Sequence, residues 1–393
     1  MKKSNAISFC TGCGACVSAG NATLIMNDNG FFVANPSNDK FDKFCSNVCF
    51  SAGNQYRNSS NASVWGDVLS SKYAWSSNAE IRHLASSGGT LTALCLYLLE
   101  SGKVDGIVHT LEDACNPIGT ITVCSTTSNE IISRSGSRYS SSSPLKDIYS
   151  YLGDGKKYCY VGKPCDVATM RNLMSSDHRF KDTFVVLLSF FCAGAPSAKA
   201  NETLLKKMGT DVNHCKFLRY RGDGWPGYAT AIDDNGRKYT LNYRTAWRDT
   251  LGRDIRLICR FCMDGIGEMA DIVCYDAWYM NEQLEPVFDE AEGRNGVMCR
   301  SELGVEIFNN AVNNGYLIVS DYPNYDMELS HYQKYQYTRR TTMASTLLAM
   351  KVMFRSTPDY PFKVIFRQMM QGDLKGQVSR FVGTIKRITL KKI

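Results

Sequence analysis

Three cysteines near the head of the chain, Cys10-Thr-Gly-Cys13-Gly-Ala-Cys16, carry the clearest chemistry in this sequence. Cysteines spaced by two residues can wrap three corners of an iron–sulfur cube, and small residues between them let the backbone curl close to the sulfides. In two-cluster ferredoxin runs the fourth cysteine serves the other cluster. Here the position four after Cys16 is Gly20. A second run should end in C-x3-C, and only that tail is present, Cys45-Ser-Asn-Val-Cys49, with Asp39 and Asp42 where its earlier ligands would stand. The pattern predicts a ferredoxin-like module reduced to one [4Fe–4S] cluster on Cys10, Cys13, Cys16 and Cys49. Cys45 is then a vestige or an alternative fourth ligand. A zinc knot could use the same residues, although zinc ligands more often come as separated pairs. A disulfide framework fits less well: the chain is long, no leader pattern opens it, and its other cysteines are scattered through apolar segments.

A second set of thiols lies further on. Cys165 and Cys192 each follow an apolar stretch that reads as a strand, and each precedes a stretch that reads as a helix. If those strands are parallel, both cysteines emerge at the carboxyl edge of one sheet, where open α/β sheets place their sites. Cys259-Arg-Phe-Cys262 adds a pair expected in a turn. Four thiols could hold a second cluster, although a cysteine at a strand end is often a small buried hydrophobe. Cysteines 95, 115, 124, 159, 215, 274 and 299 have no partner spacing and read as structural. Ahead of the first long helix stands Ser86-Ser87-Gly88-Gly89-Thr90. Helix-start amides, approached closely through the glycines, suit a phosphate or pyrophosphate, with the hydroxyls as further donors. A plain serine N-cap would use the same residues. A cluster protein that does two-electron chemistry needs an organic cofactor to gate single electrons, as flavin does.

These residues need an α/β frame. Helices are expected over 91–100 and 166–174 and after Pro196. Strands are expected over 104–110, 118–124, 157–161, 184–191 and 270–275, with a hairpin over 228–243 turning at Asp234-Asn235-Gly236. The run 184–191 is apolar throughout, as in a sheet covered on both faces. The fold class is α/β (α+β overall). It comprises a cysteine module over 1–55, a linker or wrapping loop over 56–80, a mixed-sheet domain over 80–300 and a basic helical region over 301–393.

With 393 residues, 44% hydrophobic and 21% charged, the chain is ordinary globular protein. No apolar run is long enough to span a membrane, which leads to the expectation of a cytoplasmic protein. The net charge of +7 is uneven. From His331 onward 13 Lys and Arg face two acids, whereas residues 1–330 hold 32 basic and 36 acidic residues. Met343, Leu347 and Leu348, then Phe381, Val382 and Ile385, recur at helical spacing. Such a basic amphipathic segment suits an anionic membrane surface or a partner protein, or simply a solvated helix packed on the body. No nucleic-acid recognition motif accompanies the charge.

Together the motifs resemble the coenzyme F420 hydrogenase/dehydrogenase beta-subunit family, from Cys10 to about Trp278. The resemblance rests on the cysteine run, Ser86-Ser-Gly-Gly89, Gly136-Ser-Arg-Tyr139, Tyr160-Val-Gly-Lys-Pro-Cys165, Phe191-Cys192-Ala-Gly, Gly224-Trp225, Cys259-Arg-Phe-Cys-Met-Asp264, Ala270-Asp-Ile and Asp276-Ala-Trp278. It implies FAD in the α/β domain beside a [4Fe–4S] cluster on Cys165, Cys192, Cys259 and Cys262. It assigns the Ser-Gly-Gly loop, Ser137, Tyr139 and Lys163 to the flavin. Tyr139, Lys163 and Asp264 are candidate proton donors only because they lie in matched motifs, so the catalytic acid or base stays unassigned. The sequence departs from the family at Met263, usually proline, and at Tyr275, usually glycine. The resemblance implies an oxidoreductase passing electrons from a ferredoxin-type donor to a small organic acceptor, in one branch of the family alongside surface-polysaccharide enzymes. An F420-dependent oxidoreductase and a non-catalytic electron-transfer or scaffold subunit are the alternatives.

Overall fold

In the computed structural model, which describes residues 7–52, 63–283, 285–321, 329, 331 and 333–390, an eight-stranded mixed sheet forms the centre. Its spatial order is β13 (Leu317–Ser320), β3 (Ser70–Ser76), β12 (Asn295–Cys299), β11 (Ile272–Asp276), β7 (Phe184–Phe190), β6 (Tyr158–Gly162), β4 (Gly106–Asp113) and β5 (Asn116–Ser125). The inner four, β11, β7, β6 and β4, run parallel. The outer strands pair antiparallel.

The apolar run of β7 explains why it is central. Successive side chains point to opposite faces of a strand, and here both faces are covered. Val186 and Leu188 pack with the helix Thr90–Glu100, through Leu94 and Leu98, in one core cluster. Leu187 faces the other way, with Val167, Met170 and Leu173 of the helix Pro164–Ser176. Each such fully buried aliphatic side chain contributes about 1.5–3 kcal/mol.

The parallel register sets the site. Gly162 is paired with Ser189, and the Ser189 hydroxyl donates to the Gly162 carbonyl at 2.9 Å. Both chains leave the sheet together, Lys163 and Cys165 from one and Cys192 from the other. Pro164 occupies the first helical turn, where its missing N–H does no harm. The helix therefore starts two residues earlier than the sequence suggests and carries Cys165 in that first turn. The expected Cys259–Cys262 turn is a short helix, Leu257–Phe261, with Cys262 immediately after it.

A three-stranded antiparallel sheet of β8 (Cys215–Arg219), β9 (Tyr228–Asp233) and β10 (Lys238–Asn242) flanks the main sheet, with the predicted hairpin as its last two strands. The cysteine module carries a hairpin of β1 (Ala22–Met26) and β2 (Phe32–Pro36) and a helix, Phe41–Val48. Four helices, Lys334–Thr341, Met343–Val352, Phe362–Met369 and Leu374–Thr389, form the C-terminal layer. Two segments differ from expectation. The supposed linker contains β3, and the helix Glu302–Asn313 with β13 packs into the main core, so the sheet extends past both ends of 80–300.

Candidate functional site

The first thiol set is shaped by glycines. Gly12 and Gly14 have φ of 75° and 88°, a region that side-chain-bearing residues avoid. A Cβ at Gly12 would lie 2.5 Å from the Phe32 carbonyl oxygen, and one at Gly14 2.8 Å from Lys146 Cα. Gly12 N–H donates to Cys10 Sγ at 3.3 Å. Cys10, Cys16 and Cys49 pack against the small core of Ala22, Ala34, Phe41 and Cys45, while Cys13 belongs to the neighbouring core that holds Val48. Burial raises the pKa of Cys10 and Cys16 and pushes Cys13 up to about 12, and a charge on Cys49 adds to the rise in all three. Cys49 is drawn down to about 7, first because the Cys45 thiol donates to it and then through Ser51 and Ala52. Thiols so placed would repel one another as thiolates, and a cationic metal–sulfide core would relieve that repulsion.

The second set is assembled by loops tied across the sheet edge. Arg256 N–H donates to the Ala195 carbonyl at 3.0 Å, and Ile255 bridges to Pro196. This pairing brings the Cys259–Cys262 segment against the Cys192 loop. Ala195 N–H donates to Cys259 Sγ at 3.4 Å. Cys165, Cys192, Cys259 and Cys262 all line one small cavity. Burial raises Cys165, pushes Cys192 up to about 11 and Cys262 up to about 12. Thr11 and Phe50 of the cysteine module line the same cavity, as does Arg256. Arg256 also donates to the carbonyls of Cys10, at 3.0 Å, and Phe32, at 2.8 Å. The two thiol sets are therefore neighbours across a wall that includes Arg256. No group of three or more His, Cys, Asp or Glu side chains among the described residues is drawn close enough to hold a single ion. The thiols of the second set instead surround a space.

A cleft of about 780 Å³ opens on the other side of that cavity. Lys163, Cys192, Gly194 and Ala195 line both. Ser86, Ser87, Gly89, Thr90, Ser137, Tyr139 and Lys163 line the cleft, and Gly88 does not. A Cβ on Gly88 would lie 2.9 Å from Arg294 Cα, so this glycine serves the packing of the loop on the start of β12. Two of the loop hydroxyls are committed as donors. Ser87 donates to the Arg294 carbonyl at 2.9 Å, and buried Thr90 to the Ala74 carbonyl at 3.0 Å. The Thr90 amide donates to Asn295 Oδ1 at 3.3 Å, whereas the Ser86 hydroxyl only accepts, from Ser137 N–H at 2.9 Å, so of the three hydroxyls Ser86 keeps its O–H for a ligand. Of the candidate proton donors, Tyr139 and Lys163 line the cleft, whereas buried Asp264 lines the cysteine cavity.

Residues 72–149 match the model described as coenzyme F420 hydrogenase/dehydrogenase, beta subunit N-term, and residues 155–324 the corresponding C-terminus model. The chain belongs to the coenzyme F420 hydrogenase/dehydrogenase beta-subunit family. This beta-subunit-family chain is 27% identical over 236 residues to the F420-dependent formate dehydrogenase subunit beta of Methanocaldococcus jannaschii, covering 59% of this chain and 57% of that protein. It thus spans little over half the length of that relative. It is 26% identical to the coenzyme F420 hydrogenase subunit beta of Methanococcus voltae, over 53% of this chain and 72% of that one. A chain in the structure of the F420-reducing [NiFe] hydrogenase complex from Methanosarcina barkeri superposes with a TM-score of 0.56 at 20% identity, covering 73% of this chain and 94% of that one. At that identity the likeness is one of fold.

Two residues of this family member went unnoticed in the sequence. Arg221, 3% exposed, lies over the neighbouring rings of Tyr243 and Trp278, 4.7 and 4.9 Å from their centroids, and pairs with Asp276 at 2.7 Å on the cleft wall. Its only sequence signal is its place just ahead of Gly222-Asp-Gly224-Trp225. Arg339 lines the cysteine cavity from beyond the matched ranges, in a helix whose polar sequence reads as solvent-facing. The unusual Tyr275 stacks on Phe191, with centroids 4.6 Å apart, and lines the cleft, so this departure does shape it.

Proposed function

We propose that the chain holds two [4Fe–4S] clusters and a flavin, and relays electrons between a ferredoxin-like or other redox protein and a small organic acceptor. One observation carries the reading: the contiguity of the first thiol set, the second thiol cavity and the large cleft, with shared walls at Arg256 and at Lys163. When bound, clusters would exchange single electrons and a flavin one or two, which couples the two kinds of chemistry.

The chain's own residues would do the rest. Cys10, Cys13, Cys16 and Cys49, then Cys165, Cys192, Cys259 and Cys262, would supply the thiolates. The N–H groups of Gly12 and Ala195 point at Cys10 and Cys259, and hydrogen bonds to sulfur tune such sites. Around the cleft, the Ser86 hydroxyl and the guanidiniums of Arg134, Arg138 and Arg221 suit an anionic cofactor such as FAD. Lys163, tied to Asp166, would hold a fixed positive charge where cleft and cavity meet. Both named relatives are F420 proteins, which makes F420 the first acceptor to try. Reduction of added F420 by the holo-protein would test that point.

The reading is tested on anaerobically purified protein by iron, acid-labile sulfide and released flavin per chain. About eight iron, eight sulfide and one FAD are expected. Zinc without sulfide or flavin would refute it.

The outer surface of the C-terminal layer supports a peripheral contact. No described helix is long and apolar enough to cross a membrane. Phe362, Met370 and Leu374, on or beside the last two helices, are nevertheless 78%, 67% and 79% exposed, and Lys363, Lys375 and Lys386 lie on those helices, whose nearest acid is the capping Asp373. Apolar side chains among lysines fit an anionic lipid surface, in keeping with the surface-polysaccharide setting that the resemblance implies. Co-sedimentation with phosphatidylglycerol vesicles, reduced by Phe362→Ser with Leu374→Ser, is the expected result. Equal recovery with neutral vesicles would refute it.

A further inference from the structure

The helix Lys334–Thr341 is turned inside out. Gln336, Arg339 and Arg340 are 2%, 4% and 1% exposed, while Tyr335 is 48% exposed. A buried guanidinium is costly unless it is paired and fully hydrogen-bonded. Arg340 has a carboxylate partner, pairing with Glu268 at 2.6 Å and donating to the Met263 carbonyl, although its Nε is left without a hydrogen-bond partner. Arg339 has no such partner. It donates to the carbonyls of Cys259, at 3.0 Å, and Cys192, at 3.2 Å, and to Gln336 Oε1. Its Nε has no hydrogen-bond partner, and among the described residues no carboxylate forms an ion pair with it. Gln336 donates to the same Cys192 carbonyl at 2.9 Å. Across the cavity, Arg256 is likewise 4% exposed and likewise without an ion-pair partner among the described residues. Asp264 is on the cavity wall but pairs with neither. Two cations, each over an aromatic ring (Tyr335 and Phe31) but without a carboxylate partner among the described residues, thus face a space ringed by four thiols.

We infer that Arg339 is a positioning residue of the four-cysteine site: its charge raises the reduction potential of the group that Cys165, Cys192, Cys259 and Cys262 hold, and its donors fix the Cys192 and Cys259 loops. The inference rests on the cluster reading above. The step is the gain of one electron from the redox partner, with no bond made and no proton moved. The reduced state carries one more negative charge, and a fixed cation at short range in a poorly solvated site stabilises it more than the oxidised state. The C-terminal layer, lying beyond the family-matched ranges, then belongs to the redox site of this chain.

The experiment is a potentiometric titration followed by electron paramagnetic resonance, on anaerobic full-length protein with iron, sulfide and flavin measured first. Cys262→Ser identifies which signal belongs to this site. Arg339→Gln is expected to keep its iron and lower the midpoint of that signal, while Arg339→Lys stays near wild type and Lys351→Gln, an exposed change on the next helix, shifts nothing. An unchanged midpoint in Arg339→Gln with full iron would overturn the inference. If Arg339→Gln loses iron, Arg339→Lys decides: a wild-type midpoint supports the role of charge, and a lowered midpoint or lost iron overturns it. Wild-type protein lacking iron and sulfide would refute the cluster reading itself, a result distinct from any of these.

Discussion

The Lys163 ammonium stands 2.7 Å from the Asp166 carboxylate, one helical turn on, and also donates to the Ser142 hydroxyl at 2.9 Å. Burial opposes the charge on Lys163, but Asp166 and Cys165 more than offset it and hold its pKa above the ordinary value. Asp166 is fully buried. Lys163→Met would leave it without its counter-ion and should cost about 3–5 kcal/mol in denaturant unfolding. The double change with Asp166→Asn should cost markedly less than the sum. Strict additivity would mean that the pair is not coupled.

The two thiol sets should fail separately. Cys13→Ser and Cys262→Ser are each expected to remove about four iron and four sulfide per chain while leaving the other set's signal in place. Loss of all iron in either variant would show that the sets assemble as one unit.

Much of this was legible in the chain. The strand–turn–helix patterns around Cys165 and Cys192 follow from apolar runs that end in a proline or glycine turn, and the parallel register then places both cysteines at one edge. Other parts were hidden for physical reasons. Strand β3 lies in a Ser- and Asn-rich stretch and gains its structure from its two neighbours, β12 and β13, rather than from its own pattern. In the C-terminal layer polarity misleads: apolar Leu348 and Val382 are 56% and 58% exposed, whereas Arg339 and Arg340 are buried. Binary patterning assumes that polar groups face water. It fails where carbonyls of another segment supply the partners.

Glycine close approaches give a third prediction. Gly12→Ala must adopt a left-handed backbone and meets the Phe32 carbonyl, so it should destabilise the cysteine module by at least about 1–2 kcal/mol. Iron should fall while released flavin is retained. Gly88→Ala, whose Cβ meets the backbone of Arg294 and Asn295, should do the reverse, lowering flavin content more than iron.

Acid should weaken the fold through His109 on the cleft wall. Burial lowers its pKa to about 4, helped by Arg134 and Arg138. Arg134 donates to the Ser125 hydroxyl at 3.0 Å, which leaves that hydroxyl free to donate to His109 Nε2, 2.8 Å away. The neutral ring is thus the one the site accepts. The unfolded chain takes up the proton first, near its ordinary value of 6.5. Stability from this group is full above that pH and is lost as the pH falls toward 4, to a total of about 3 kcal/mol. Chemical denaturation at several pH values should show this slope, and His109→Gln should flatten it.

The hydrogen bonds from Gln336 and Arg339 to the Cys192 and Cys259 carbonyls also say something about biogenesis. They join residues 144 and 80 positions apart, and the cysteines themselves come from three segments distant in the chain. While the chain is being made, the second thiol pocket can have no finished shape until residue 339 has left the ribosome and folded back. Loading of that pocket is therefore a late event, and during the interval before it the four thiols are open to oxidants and to stray metal ions.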